Sequence, residues 1–257
     1  MGWEILLTED DYSLYRENIS LLEEQLYHHF PQAYTAPEIT SAIRRVPRHF
    51  FVHPAYKQLA YTDRALPTAN GLTTSAPSVI AQMIFYSEAR GEENVLEIGT
   101  GTGYEAAVLA EMGSSVSTIE VDSYVAKTAN RVLTELGYKI DKTVKNENKK
   151  KKMIRRYNTV RGTFPHRGTI ELYTGNGQNG LPGEALFKAI IVAASVSYLQ
   201  YIRHMTAQLT ANNGRMVVPV GRRGDQTLHI IEKKKKTLTL RSVEGMSFDF
   251  VRLVHSE

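Results

Sequence analysis

Residues 96–122 read LEIGTGTGYEAAVLAEMGSSVSTIEVD, and their spacing invites a chemical reading. Gly99, Gly101 and Gly103 alternate in a turn after an apolar run, and Glu120 stands 21 residues beyond Gly99 at the end of the next one. Glycines let a backbone approach a ligand closely, and a carboxylate at the end of the second strand is placed to accept from both hydroxyls of an adenosine ribose. A dinucleotide fingerprint, G-x-G-x-x-G, would need glycine at 99, 101 and 104, but position 104 is Tyr104. The turn therefore points away from NAD and toward an adenosine cofactor with no pyrophosphate to wrap. The competing reading is a glycine-rich strand-to-helix turn with a surface glutamate.

Such a turn needs a strand before it and a helix after it. NVLEIG, then EAAVLAEMG, then SVSTIEVD supply strand, helix and strand. Upstream, residues 10–30 place Tyr12, Tyr15, Ile19, Leu22 and Leu26 at helical spacing, and Pro31 ends the run. The stretch T-A-P-E from Thr35 to Glu38 reads as a capping box for a second helix with Ile39, Ala42, Ile43 and Val46 on its buried face. Residues 48–77 hold no sustained period and read as a long surface-covering loop, followed by a helix from Pro77 to about Ala89. Beyond Asp122 come a helix over 124–136, a polar basic segment, strands TIELYTG and KAIIVAAS, a helix over 198–211, and strands RMVVPVG, LHIIEK and DFVRLVH. Strands alternating with helices predict an α/β fold. Its sheet is doubly wound and mainly parallel, with helices on both faces and an antiparallel C-terminal edge. We expect a single domain over 1–257 with a helical region over 1–92.

At 257 residues and 42% hydrophobic content the chain can bury one substantial core. No apolar run approaches the roughly 20 residues that span a bilayer, and the N-terminal stretch is acidic where a signal peptide is basic, so a cytoplasmic protein without membrane attachment is expected. Having no cysteine rules out disulfides, thiolate nucleophiles and Cys-ligated metals. The eight histidines are scattered without a ligand spacing, so no metal is expected. Charge is uneven: residues 139–170 carry eleven Lys and Arg against Asp141 and Glu147, a net of +9, so the +4 of the whole chain leaves the remainder at −5. That confinement argues against nucleic-acid binding by the protein as a whole. It predicts a basic insertion at about 139–168, either a solvated flexible loop dispensable for the core or a docking element for an acidic partner.

VLEIGTGTGY resembles the S-adenosylmethionine site of class I methyltransferases, whose sheet is Rossmann-like. VPRHFFV, LAYTDRALP, LTTSAP, IEVD, GNGQNGLP, AIIVAAS and GRMVVPVG, in that order, resemble the protein-L-isoaspartate O-methyltransferase family more narrowly, from about residue 36 to 254. The resemblance implies S-adenosylmethionine as cofactor, with Glu97, Gly99, Thr100, Gly101 and Gly103 along its methionine part, Glu120 on the ribose, and Asn176 with Gly177 facing the adenine. It implies that Ser75 orients the reacting carboxylate with Thr73 supporting the loop; the alternative for both is capping of the helix at Pro77. Asp63 and Arg64 are expected to fasten the loop. Main-chain groups of Val218, Pro219, Val220 and Gly221 would pair with an extended peptide substrate, while the same residues also read as a buried strand. The 1–92 region would lie on the substrate side.

Several positions depart from the family pattern. Asn176 stands where relatives have Asp, Thr68-Ala69 follows Leu66-Pro67 where relatives have Ile-Gly, Lys188 replaces an Asp, and the link from Tyr138 to Thr169 is much longer. The resemblance implies carboxyl methylation of L-isoaspartyl residues in proteins or peptides, which begins repair through a succinimide. Two alternatives accompany it: a dedicated aspartyl O-methyltransferase tailoring one partner peptide, and a protein that binds the cofactor without catalysis or binds nucleic acid through the basic insertion.

Overall fold

A computed structural model of the chain describes residues 8–68, 71–91, 93–141, 155–161, 168–181, 183, 186–244 and 248–253. The chain opens with α1 (Glu9–His29), which is started by a capping box: Thr8 Oγ1 accepts from Asp11 N and donates to the Asp11 carboxylate. Ile19, Leu22 and Leu26 form its buried stripe, as their spacing predicts. A second helix, α2 (Pro37–Arg45), buries Ile39, Ala42, Ile43 and the following Val46. Its expected capping box is not made. Pro37 takes the first helical position, which puts Ala36 at the cap, and Thr35 Oγ1 donates back to Gln32 O.

Residues 48–77 are also not the surface loop that their lack of period implies. They form 3-10 turns and a small hairpin of β1 (Leu66–Pro67) with β2 (Thr73–Thr74), wrapped around buried Arg48, His49, Phe51, Ala60 and Tyr61. Helix α3 (Pro77–Ser87) follows.

Among the described residues the main sheet has nine strands. The first, β3 (Asn94–Ile98), leads through α4 (Tyr104–Glu111) to β4 (Ser115–Glu120), and through α5 (Ser123–Glu135) to the next described strand, β5 (Lys139–Asp141). Then come β6 (Arg155–Arg161), β7 (Thr169–Thr174), β8 (Ala189–Val192), the short helix α6 (Arg203–Ala207), β9 (Asn212–Arg222), β10 (Asp225–Lys234) and β11 (Thr237–Ser242). Their order is β11-β10-β9-β8-β3-β4-β7-β6-β5. The five strands from β9 to β7 are parallel, and β10, β11, β6 and β5 add antiparallel at the two edges. The chain steps from β3 to β4 and β7 in one direction and then returns to β8 on the other side of β3. Such a reversal opens a crevice at the carboxyl ends of the strands.

Period-two alternation divides the sheet between two cores. Val95, Val116, Ile170, Ile191 and Val217 pack against residues of α1 to α5 on one face, whereas Leu96, Ile98, Ile119, Ile190 and Val218 pack with Ile202 and Met205 on the other. The doubly wound sheet with its antiparallel C-terminal edge is therefore the fold predicted from the sequence.

Three further elements differ from their expectations. The helix expected over 198–211 is a 3-10 turn followed by α6, which ends where Lys233 Nζ donates to the carbonyls of Thr206, Ala207 and Leu209. Residues 248–253 are not a strand of the sheet. They cross its end, touching Gln226 and Ser195 through single bridges. The basic segment is not wholly a loop either, because β5 and β6 extend the sheet beyond β7. Residues 142–154 and 162–167, where most of the expected docking element falls, lie outside the described residues. Among the described residues no helix is long and apolar enough to cross a membrane.

Candidate active site

A cavity of about 350 Å³ opens at the carboxyl ends of β3, β4, β7 and β8. Of the residues singled out from the sequence, Thr73, Ser75, Glu97, Gly99, Thr100, Gly101, Glu120, Asn176 and Gly177 all line it. They come from four separate stretches of chain, brought together by strand order.

The glycine turn is held against β4. Gly99 N and Thr100 N donate to Ile119 O, and Gly103 N closes the turn on Thr100 O. Gly99 and Gly101 have φ of 98° and 52°, in the left-handed region that side chains disfavour, so the turn needs glycine there. Glu120 braces the same turn. Its Oε2 accepts from Gly101 N at 2.9 Å and its Oε1 from Asp122 N at 3.0 Å, so the carboxylate is fixed with lone pairs to spare. It is 6% exposed, which excludes the surface-glutamate reading. Gly103 lies behind the cavity at the start of α4, where a Cβ would come 3.1 Å from Leu133 Cδ1.

Glu97 and Glu105 are both buried in the cavity floor. The Thr118 hydroxyl donates to Glu97 Oε2 at 2.5 Å and lies 2.6 Å from that of Thr100. Burial, together with the neighbouring Glu105 and Glu120, raises Glu97 well above the usual carboxylate range. Burial pushes Glu105 up to about 8. A carboxyl raised by folding holds a proton that the unfolded chain has released, so its stabilising contribution is present below the ordinary 4.5 and is lost as pH rises toward 8. Without ligand, the melting temperature should therefore fall between pH 5 and 8, and Glu105→Gln should flatten much of that fall. Equal slopes for parent and variant in thermal unfolding would contradict this.

The loop carrying Thr73 and Ser75 is fastened from below. Arg48, fully buried, donates to the carbonyls of Ala60, Thr62, Arg64 and Ser75 at 2.8–3.1 Å. Neither Thr73 nor Ser75 caps α3. The cap position is Ala36's counterpart here, Ala76, and Asp63 Oδ1 accepts from Ser78 N in place of a serine or threonine hydroxyl. Asp63 thus fastens the loop as expected, with Oδ2 also 2.7 Å from His29 Nδ1. The Ser75 hydroxyl makes no hydrogen bond among the described residues.

Asn176 Oδ1 accepts from Gln178 N, so its side chain already serves as a turn cap beside the cavity. Gly177 packs so tightly that a Cβ would lie 2.8 Å from Ile98 Cγ2 and 2.9 Å from Ile119 Cγ2. Val218, Pro219, Val220 and Gly221 correct the peptide-pairing expectation. They do not line the cavity, and their strand is interior: Val196 N donates to Pro219 O, Gly221 N donates to Val196 O, and the other edge pairs with β10. A peptide could add there only by displacing one of these neighbours.

The sequence profile of the family described as "Protein-L-isoaspartate(D-aspartate) O-methyltransferase (PCMT)" matches residues 21–257. The chain is 35% identical over 230 residues to "Protein-L-isoaspartate O-methyltransferase" of Gloeobacter violaceus, covering 87% of this chain and 95% of that one. It is likewise 35% identical over 210 residues to "Protein-L-isoaspartate O-methyltransferase 1" of Syntrophobacter fumaroxidans, covering 82% and 83%. The chain belongs to the protein-L-isoaspartate O-methyltransferase family. The fold agrees. A solved protein-L-isoaspartate O-methyltransferase superposes with a TM-score of 0.68 at 22% identity, over 91% of this chain and 66% of that one. A Plasmodium falciparum chain described as a candidate member, solved with S-adenosyl-L-homocysteine, gives 0.68 at 20% identity over 92% and 98%.

Within this member of the family, sequence reasoning missed several residues. Arg48 looks like one polar residue in VPRHFFV, and only the convergence of four carbonyls reveals its role. Glu105 sits beside the glycine turn as an ordinary first-turn acid, and only the structure shows it buried in the cavity lining, on a helix whose residues are all buried. Val251, Arg252 and Leu253 form a cavity wall because Ser195 holds their backbone, with Ser195 N donating to Val251 O and Leu253 N to Ser195 O. Lys188 donates to Asn213 O at 2.8 Å and ties the entry to β8 to the start of β9.

Proposed function

We propose that the chain transfers a methyl group from S-adenosylmethionine to the free carboxylate of an L-isoaspartyl residue in a protein or peptide. The observation that carries this is the meeting of the Ser75 loop with the glycine turn and Glu120 in one cavity. The cavity fits the cofactor by its own features. Its volume suits a compact adenosine ligand, Gly101 leaves open space where a side chain would stand, and Glu120 keeps acceptor capacity at the end of β4. Glu120 would hold the ribose, Gly99 to Gly101 the amino-acid part, and Asn176 with Gly177 the adenine side. When bound, S-adenosylmethionine supplies an activated methyl on a sulfonium.

The chain's own residues supply alignment and dryness. A carboxylate is ionised and nucleophilic at neutral pH, so no strong base is needed. Ser75, held in place through its carbonyl by Arg48, presents an unengaged hydroxyl that donates to one carboxylate oxygen and aims the other. Thr73 pairs with Pro67 in the hairpin and steadies the loop. Holding the reacting atoms in line supplies roughly 7–11 kcal/mol, and the buried walls remove water that would blunt the carboxylate. The neighbouring backbone amide nitrogen can then attack the methyl ester and expel methanol, giving a succinimide that water reopens in part as normal aspartate, which suits a repair role. A soluble, cytoplasmic setting is part of this reading.

Ser75→Ala tests it. The donated bond acts mainly in the aligned transition state, so turnover should fall by about one to two decades, the equivalent of roughly 1.5–3 kcal/mol, with cofactor affinity nearly intact. Single-turnover methyl transfer checks this. An unchanged rate, with chemistry limiting, removes Ser75 from the mechanism.

A further inference from the structure

The cavity floor contains a group that the proposed reaction does not use. Glu105, on the first turn of α4, is 7% exposed, lines the cavity, and its Oε1 has no hydrogen-bond partner. A buried carboxyl oxygen left unpaired is costly unless a ligand completes it. Its surroundings sharpen the point. Glu97 neighbours it from β3, with Glu120 at the end of β4 next to Glu97 in turn, and the Tyr104 hydroxyl, from the preceding residue of α4, is also without a partner. Arg48 lies over the Tyr104 ring at 5.7 Å, with its guanidinium nitrogens directed to loop carbonyls. Farther along the cavity wall stand Asp122 and Arg252. Acids outnumber cations in the lining four to one, so the cavity is built for a net positive ligand.

Resting on the cofactor assignment above, we propose that Glu105 is the counter-group for the positive charge of the bound cofactor and gives up a proton when that charge arrives. Without ligand, two acids buried side by side avoid a double negative charge by retaining a proton. A cation placed against the cavity-lining Glu105 carboxylate supplies the missing counter-charge, and the carboxylate then ionises. The charge is either the ammonium of the amino-acid end, which S-adenosylmethionine and S-adenosylhomocysteine share, or the sulfonium, which only the first carries. The sequence signal is one acid two residues after the last glycine of the turn, and burial, which pushes Glu105 up to about 8, agrees with a proton available near neutral pH.

Titration calorimetry of the full chain at pH 7, in buffers of different ionisation enthalpy, counts the protons exchanged. With S-adenosylmethionine the parent should release about one proton per ligand, and its affinity should rise about tenfold per pH unit below pH 8. Glu105→Gln should release nearly none and show a flat profile. Release with S-adenosylhomocysteine as well assigns the ammonium; release with S-adenosylmethionine alone assigns the sulfonium. Glu97→Gln, a second variant in case the first does not fold, should keep the release, because burial rather than Glu97 holds the Glu105 proton, and a release lost with Glu97 overturns the proposal. Binding by the parent without proton release, or equal release by Glu105→Gln, overturns the proposal. Failure of the parent to bind either ligand overturns the cofactor assignment itself, and this inference with it.

Discussion

Arg48→Met is expected to cost about 3–5 kcal/mol of stability, the range for removing one partner from a buried charged network. The guanidinium is 0% exposed and donates to four carbonyls, on Ala60, Thr62, Arg64 and Ser75. Methionine fills much of the volume but supplies no donor, so those carbonyls lose a charge-assisted partner each, and the losses overlap because the loop relaxes as a unit. For a chain of this length the melting temperature should drop by roughly 10 °C. Arg48→Lys should recover only part of this, since an ammonium cannot span carbonyls on opposite sides of the planar fork. Because one bond fixes Ser75, methyl transfer should also fall in the fraction that stays folded. A melting temperature within a degree of the parent's would mean that the loop is held by other means.

The second large effect is on ligand affinity. Glu120→Ala should weaken S-adenosylhomocysteine by roughly 30- to 1,000-fold, from about 2–4 kcal/mol for two charge-assisted bonds whose losses partly overlap. The variant loses the ribose acceptor and also frees Gly101 N and Asp122 N, which the carboxylate braces. Glu120→Gln separates the two contributions, because its amide oxygen still accepts from one of these N–H groups. Calorimetry on folded protein provides the measurement, and undiminished affinity would remove Glu120 from the ribose site.

What could be read from the sequence follows a physical divide. The parallel strands were legible because alternation of apolar residues is a local pattern, and the glycine turn was legible because only glycine fits its backbone. Glu120 was legible because its distance from the turn is fixed by one helix and one strand. The misread parts depend on contacts distant in sequence. Residues 48–77 show no period because their order comes from Arg48 and from Asp63 reaching Ser78, not from a regular face. Val218 to Gly221 looked available to a peptide because nothing local reveals that Val196 and β10 occupy both edges. Thr35 failed as a cap by one residue, since Pro37 sets where the helix begins. Glu105 was passed over because a charged residue near a helix start usually faces water, whereas here the cavity closes over it.

The most direct test of the account offers the parent enzyme labelled S-adenosylmethionine with a synthetic peptide containing L-isoaspartate, beside the same peptide with normal L-aspartate. Base-labile methyl should be incorporated into the isoaspartyl peptide and none above background into its control. Labelling of the aspartyl peptide alone, or of neither by a protein shown to bind the cofactor, would contradict it.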